Sequence, residues 1–317
     1  MRSILILACA LLMLKSMAQE KIAFLDHKEK PVSNGGLATY ANVISKTDSG
    51  FLKQRLLLSS RIVVESALYA DSLCLFHKGH FRTYHSNGLL KTDGNYVDGR
   101  KSGIWLSYHS NGMIADSALY AENQLAGIQK SWHRNGYLAD SSNGYSGNRV
   151  AVSWFDDGAL ASTGRYVEDS LRHGKWVFYN QEGVKSASVI YNRGKATTID
   201  FIATNGSIQT HAYADSFTIA ADFPGGINNW MKYFNSKIYF PENIELVNTD
   251  VTTVVVQFCV NTKGEVQDVE LLVPFHPAFD RIVLDIVKKS PKWNPARIAN
   301  RPYPYYHTQE IHFKQSY

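Results

Sequence analysis

The sequence predicts a mainly β, two-domain fold: an elongated stack of β-hairpin repeats, then a small α+β domain with two helices on a three-stranded antiparallel sheet. Three observations carry this reading. A motif of aromatic residues around Asn-Gly recurs through the middle of the chain at steps of 22 to 25 residues. The pattern breaks at Phe223-Pro224-Gly225-Gly226, a cluster of chain breakers. Beyond the break, apolar residues recur first at helical spacing and then in a long β-branched run. A length of 317 residues suits two domains, and 15 Phe, 18 Tyr and 6 Trp argue against disorder as the dominant state.

The first element is a leader. Arg2 is a short positive start, Ile4 to Leu14 is apolar, and Ser16-Met17-Ala18 places small residues where a signal peptidase cuts. Residues 1–18 are therefore expected to be a signal peptide, and the protein to be exported, periplasmic or envelope-associated. A retained membrane anchor is the alternative, but a span needs ~20 apolar residues. Cys9 as a lipoprotein cysteine fits less well, because the apolar run continues past it. The net charge is +5, with two of the positive charges at Arg2 and Lys15. So mild a charge does not call for nucleic acid. Peripheral membrane association stays open. Cys74 and Cys259 fall in different expected domains, without a CxxC or zinc-type spacing, and read as free thiols.

Residues 19–54 are expected to cap the repeats, which occupy 55–215. The clearest copies are Gly79-His80-Phe81-Arg82-Thr83-Tyr84-His85-Ser86-Asn87-Gly88-Leu89-Leu90 and Gly103-Ile104-Trp105-Leu106-Ser107-Tyr108-His109-Ser110-Asn111-Gly112-Met113-Ile114. Turn glycines follow at 136, 158 and 183, with worn copies around Ser60 and Gly206. Asn-Gly between apolar runs signals a hairpin with a tight two-residue turn, and Val97-Asp98-Gly99-Arg100 returns the chain to the next copy. One hairpin is marginal in water, so stacked copies must pair their edges and share an aromatic layer. Trp105 and Tyr108, three apart, call for a bulge or for two covered faces. His85, His109 and His133 recur every 24 residues. Equivalent positions lie two strands apart, ~10 Å, and the ligands of one zinc each lie ~2 Å from it. They read as a surface ladder without a metal.

These residues resemble the MORN repeat in its bacterial variant form. That resemblance implies a scaffold or docking surface rather than catalysis.

The second domain is expected over 223–317. Ile227, Trp230, Met231 and Phe234 share one helical face. Val251–Val260 is a strand, Asn261 to Gly264 a turn, and Glu265 to Val273 its partner. Phe279, Ile282, Val283, Ile286 and Val287 stripe a second helix over Pro277–Lys289. Lys288 and Lys289 suit its C-terminal dipole and Pro291 stops it. Tyr305 to Phe313 is the last strand. Phe223-Pro224-Gly225-Gly226, Tyr239-Phe240-Pro241-Glu242 and above all Ser290-Pro291-Lys292-Trp293-Asn294-Pro295 resemble the TonB C-terminal domain.

The resemblance implies β-augmentation, in which an extended partner segment adds beside the last strand. By position that strand is Thr308, Gln309, Glu310, Ile311, His312 and Phe313. The implied partners are outer-membrane TonB-dependent receptors or other envelope proteins. A membrane-anchored energy transducer for outer-membrane transport and a glycan-binding repeat surface are the alternatives. No hydrolase, zinc-protease or phosphate-loop motif appears. Asp156-Asp157 reads as a solvated turn, and Gly225-Gly226 lacks the lysine and hydroxyl of a phosphate loop. No enzyme activity, cofactor or metal is expected.

Overall fold

The computed structural model describes residues 20–315 apart from 34, 146–147, 169, 247–248 and 300, so the leader lies outside the described residues. Sixteen strands form one antiparallel sheet in strict sequence order. They are β1 (Lys21–Leu25), β2 (Tyr40–Thr47), β3 (Gly50–Leu57), β4 (Ile62–Tyr69), β5 (His77–Tyr84), β6 (Leu90–Val97), β7 (Arg100–Tyr108) and β8 (Ile114–Ala121), then β9 (Gln124–Trp132), β10 (Leu138–Tyr145), β11 (Asn148–Trp154), β12 (Leu160–Val167), β13 (Leu171–Tyr179), β14 (Lys185–Asn192), β15 (Lys195–Ile202) and β16 (Ile208–Ala212). Residues expected to cap the array therefore build its first three strands.

The two ends of the sheet are turned differently. At one end Val97 pairs with Arg100 across Asp98 (φ 49°) and Gly99 (φ 76°). Ala121 likewise pairs with Gln124 across Glu122 and Asn123, both at positive φ. These are two-residue turns whose twist suits a hairpin. The Asn-Gly end departs from expectation. Tyr84 pairs with Leu90, so His85 to Leu89 form a five-residue loop in which only Gly88 has positive φ (85°). Asparagine is needed there for its side chain. Asn87 Oδ1 accepts from Leu89 N (3.0 Å) and Nδ2 donates to Ser110 O of the next loop (2.7 Å). Asn111 reaches Arg134 O and Asn135 reaches Asp156 O in the same way.

The histidines of these loops follow the same rule. His85 Nε2 donates to Tyr108 O (2.8 Å), His109 to Trp132 O (2.8 Å) and His133 to Trp154 O (3.0 Å). Each loop thus holds the next by two side-chain bridges. The ladder stops at Phe155, which occupies the next histidine position and whose side chain has no N–H to give. The register shifts just before each loop, between Ser107 and Tyr108 and at the equivalent places in β5, β11 and β13. That bulge lets Trp105 and Tyr108 point as they do.

The aromatic layer is interrupted, not continuous. Phe81, Tyr96, Trp105 and Tyr120 form one cluster, and Tyr166, Trp176, Phe178 and Tyr191 a second. Between them Gln129 and Ala151 stand where other copies carry Phe or Trp. Buried Arg149 fills the gap, donating to Gln129 and Ser142. Trp176 lies flat on Gly164, where any Cβ would sit 2.1 Å from the ring.

After short β17 (Thr218–Ile219) comes the terminal domain. It holds α1 (Ile227–Asn235), β18 (Val251–Val260), β19 (Val266–Val273), α2 (Pro277–Lys288), the short β20 (Arg297–Ile298) and β21 (Arg301–Pro302), and β22 (Tyr305–Lys314). The sheet order is β19-β18-β22. Trp230, Phe234, Val254, Val256, Phe258, Phe279, Val283 and Phe313 close its core. Two residues expected on the α1 apolar face, Ile227 and Met231, are instead exposed. All five expected on α2 are buried.

Candidate functional site

The sequence segment expected to carry function folds as β22, at one edge of the three-stranded sheet. Its position is set from below. α2 starts cleanly because the His276 side chain accepts from Ala278 N and Pro277 sits in its first turn. Phe279 of α2 then packs edge-on against Phe313 of β22, with ring centroids 4.8 Å apart. Trp230 of α1 donates through Nε1 to Gln309 Oε1 (2.7 Å). The Pro-x-Trp-x-Pro segment seals the far end. Trp293 N donates to Gly264 O (2.8 Å), and a side chain at Gly264 would strike Trp293 O at 2.1 Å. Around Trp293 pack Phe223, Trp230 and Phe258, so the motif residues scattered through the sequence meet in one place.

The expected site residues divide by alternation. Gln309, Ile311 and Phe313 face the helices, Ile311 and Phe313 being core residues. Thr308, Glu310 and His312 are exposed. Tyr306 and Lys314 belong to the same exposed row and lay outside the expected segment; extending the period-2 pattern to both ends of the strand would have found them. The backbone follows suit. Gln315 N donates to Asp250 O (2.7 Å), so by antiparallel alternation the amides of 313, 311 and 309 point to β18 and those of 306, 308, 310 and 312 point outward. Among the described residues no strand pairs with that outer edge.

The opposite edge is occupied. β19 runs past the Asn-Gly loops of the array, and in three of them the residue after the histidine position meets it or the residue that follows it. Ser59 Oγ donates to Pro274 O (3.2 Å), and Ser86 Oγ to Leu271 O (2.5 Å). Arg134 reaches Asp268 (3.0 Å) and Glu270 (3.3 Å). Farther along, Arg301 is 7% exposed and donates to Ala161 O (2.5 Å) and Tyr179 O (3.2 Å). Tyr179 O is the carbonyl that a histidine at position 155 would have taken. The guanidinium lies over Phe155 (5.0 Å) and Phe178 (5.2 Å). Burial pulls its pKa down to about 10, with Arg172 adding to the effect, so it stays charged near neutrality. The ring faces and carbonyls take the place of a carboxylate.

One more contact joins the two units. Lys28 Nζ lies 3.1 Å from Glu310 and His27 Nε2 3.6 Å. The Lys28 hydrogen bond holds the Glu310 carboxyl below its usual range. Nothing in the local sequence at His27 or Lys28 pointed to β22. Cys74 and Cys259 are both free, and burial drives the Cys259 thiol up to about 12, which leaves it unreactive. The Asp157 carboxylate is used locally, accepting from Ala159 N. Among the described residues no group of His, Cys, Asp and Glu is placed to hold a metal ion, and no helix is long and apolar enough to cross a membrane. No curated protein matches the chain. Residues 239–315 match the family model of the Gram-negative bacterial TonB protein C-terminal, a non-enzymatic protein-interaction domain of the envelope, and the terminal domain is similar to it in sequence and in fold.

Proposed function

We propose that this is an exported, non-enzymatic envelope protein that takes an extended segment of an outer-membrane TonB-dependent receptor, or of another envelope protein, beside β22. One observation carries the reading: β22 leaves its outer edge open, while the other edge of the same sheet is engaged by the array. The outward amides of Thr308, Glu310 and His312 supply main-chain hydrogen bonds, and the exposed side chains of the row set the register. The repeats, read as MORN-type hairpins, act as a rigid mount for that sheet.

The test is cross-linking in the native envelope, comparing the protein with Thr308→Pro. Proline there removes one outward donor and leaves the backbone bonds to β18 in place, losing from β18 one exposed side-chain bond, Gln257 Nε2 to Thr308 Oγ1. Capture of TonB-dependent receptors that the variant loses, at unchanged melting temperature, is the expected result. Equal capture by both forms, or capture of inner-membrane motor proteins instead, counts against it.

A further inference from the structure

The turn end of the array, opposite the terminal domain, is not made of two-residue turns throughout: Val167 pairs with Leu171, and a wider gap lies between β4 and β5. Between β4 and β5, Tyr69 pairs with His77, leaving a seven-residue loop from Ala70 to Phe76. This loop displays Leu73 (72% exposed), Leu75 (69%) and Phe76 (63%). Phe76 reaches the neighbouring turn at Gly99, beside exposed Val97 (51%). The result is a convex apolar tip.

Its backbone donors are satisfied internally. Asp71 Oδ1 accepts from Leu73 N (2.9 Å), and Oδ2 from Leu75 N (3.0 Å) and Phe76 N (2.9 Å). Asp71 O accepts from Cys74 N (3.2 Å), and Ala70 N donates to Phe76 O (2.9 Å). These amide bonds, led by that from Phe76, keep the Asp71 carboxyl ionised by lowering its pKa. Four consecutive amides, 73 to 76, are therefore satisfied within the loop.

We propose that the Leu73–Phe76 loop is a lipid-binding tip that seats the turn end of the array on a bilayer surface. A bilayer suits it better than a protein groove for a physical reason. Water-poor lipid penalises free backbone donors, and this loop presents none between 73 and 76. A protein groove gains its specificity from such donors, which here are already used. No ionisable side chain other than the Cys74 thiol interrupts the run from Ser72 to Phe76. Exposed Lys78 flanks the tip, and Arg100 beside it is paired with Glu122 (2.9 Å). One loop of this size gives reversible attachment, comparable to a single short acyl chain. An eight-residue strand spans roughly 27 Å, so the terminal domain is held clear of that surface. The inference stands apart from strand addition at β22, and either can fail alone.

The experiment is co-sedimentation of the mature protein with vesicles of phosphatidylethanolamine and phosphatidylglycerol, and with vesicles of phosphatidylcholine alone. It compares the protein, the triple variant Leu73→Ser, Leu75→Ser, Phe76→Ser, and a control, Ile104→Ser with Ile128→Ser, which removes exposed apolar groups elsewhere. All three sites of the triple variant are exposed, so melting temperatures should agree. A polarity-sensitive dye on Cys74 reports insertion, since Cys259, 1% exposed, does not label. The expected result is binding to both vesicle types that survives about 0.5 M salt. Partition should fall on the order of 50-fold in the triple variant only, with a blue shift of the dye in the protein. Failure to bind either vesicle, equal binding by protein and triple variant, or loss of binding in high salt overturns the proposal. Cross-linking from position 74 to one envelope protein, with no vesicle binding, replaces the bilayer by a protein partner.

Discussion

The terminal domain and the array bury their residues in different ways. In the terminal domain two helices close one face of three strands, and Trp230, Phe258, Phe279 and their neighbours form a single interior. The array has sixteen strands and, among the described residues, no α-helix between them; its buried side chains fall into separate patches divided by Gln129, Ser142 and Arg149, the second of which also takes in Phe217, Ile298 and Ala299. What it has instead is a run of polar bridges, two in each of the loops that begin at His85, His109 and His133, each joining one copy to the next. A closed core makes stability a property of the whole, while a ladder makes it a sum over neighbours. The two regions should therefore respond differently to damage.

The largest expected effect is in the closed core. Phe279→Ala, at a site with no exposure, should cost about 3–5 kcal/mol. Hydrogen exchange should then show the terminal domain open while β2 to β11 stay protected. Loss of protection throughout would mean that the two regions are one cooperative unit. Next comes Arg301→Met, which leaves the carbonyls of Ala161 and Tyr179 without their donor and should cost about 2–3 kcal/mol. Exchange should rise on both sides of the contact, around 155–180 and around 297–303. A rise on one side only would show that the contact does not couple them. Third, His109→Phe copies position 155 into a loop where the arginine at hand, Arg134, is already held by Ser110, Asp268 and Glu270. It should cost about 1 kcal/mol and loosen only the adjoining loops.

The smallest effect is with pH. Burial lowers the pKa of His85 in the array and of His307 in the terminal domain, against opposing bonds to backbone carbonyls. A lowered histidine pKa means the fold holds the neutral ring, so its contribution is whole above the unfolded value near 6.5 and is lost as pH falls through the folded value. Melting temperature should decline as pH drops below about 6.5, less steeply in His85→Asn. Half-buried Asp116 and Asp140, whose pKa values burial raises, act the other way. A flat melting profile between about pH 7.5 and 5.5 would remove the histidines from the stability argument.

Much of this was legible in advance, for identifiable reasons. Equal spacing of Gly88, Gly112 and Gly136 announced hairpins, and the stripe from Phe279 to Val287 announced α2 almost to its ends. The alternation of Ile311 and Phe313 with His312 already divided β22 into core and exposed rows. The two-residue turn at Asn-Gly was misread because propensity speaks for backbone angles, while Asn87 is kept by a bond to another copy. The exposed Ile227 and Met231 show a helical stripe wider than the sheet it covers. The contacts of Ser59, Ser86 and Arg134 with β19, and of His27 and Lys28 with Glu310, join residues more than a hundred positions apart with no pattern of their own. The apolar tip at Leu73 to Phe76 sits in a connection that the repeat spacing treats as a gap.

A periodic track has a difficulty of its own. If every loop were identical, a domain lying along the loops would find an equivalent seat one period up or down, and its address would be degenerate. Phe155 ends the run of loop histidines, and Arg301 is the group that reads that end. A shift by one copy toward the N-terminus would set the guanidinium against Trp154 O, already taken by His133, and away from the Phe155 ring. One irregular residue in a monotonous stretch thus acts as an index mark, and it settles where on the array the open edge of β22 is displayed.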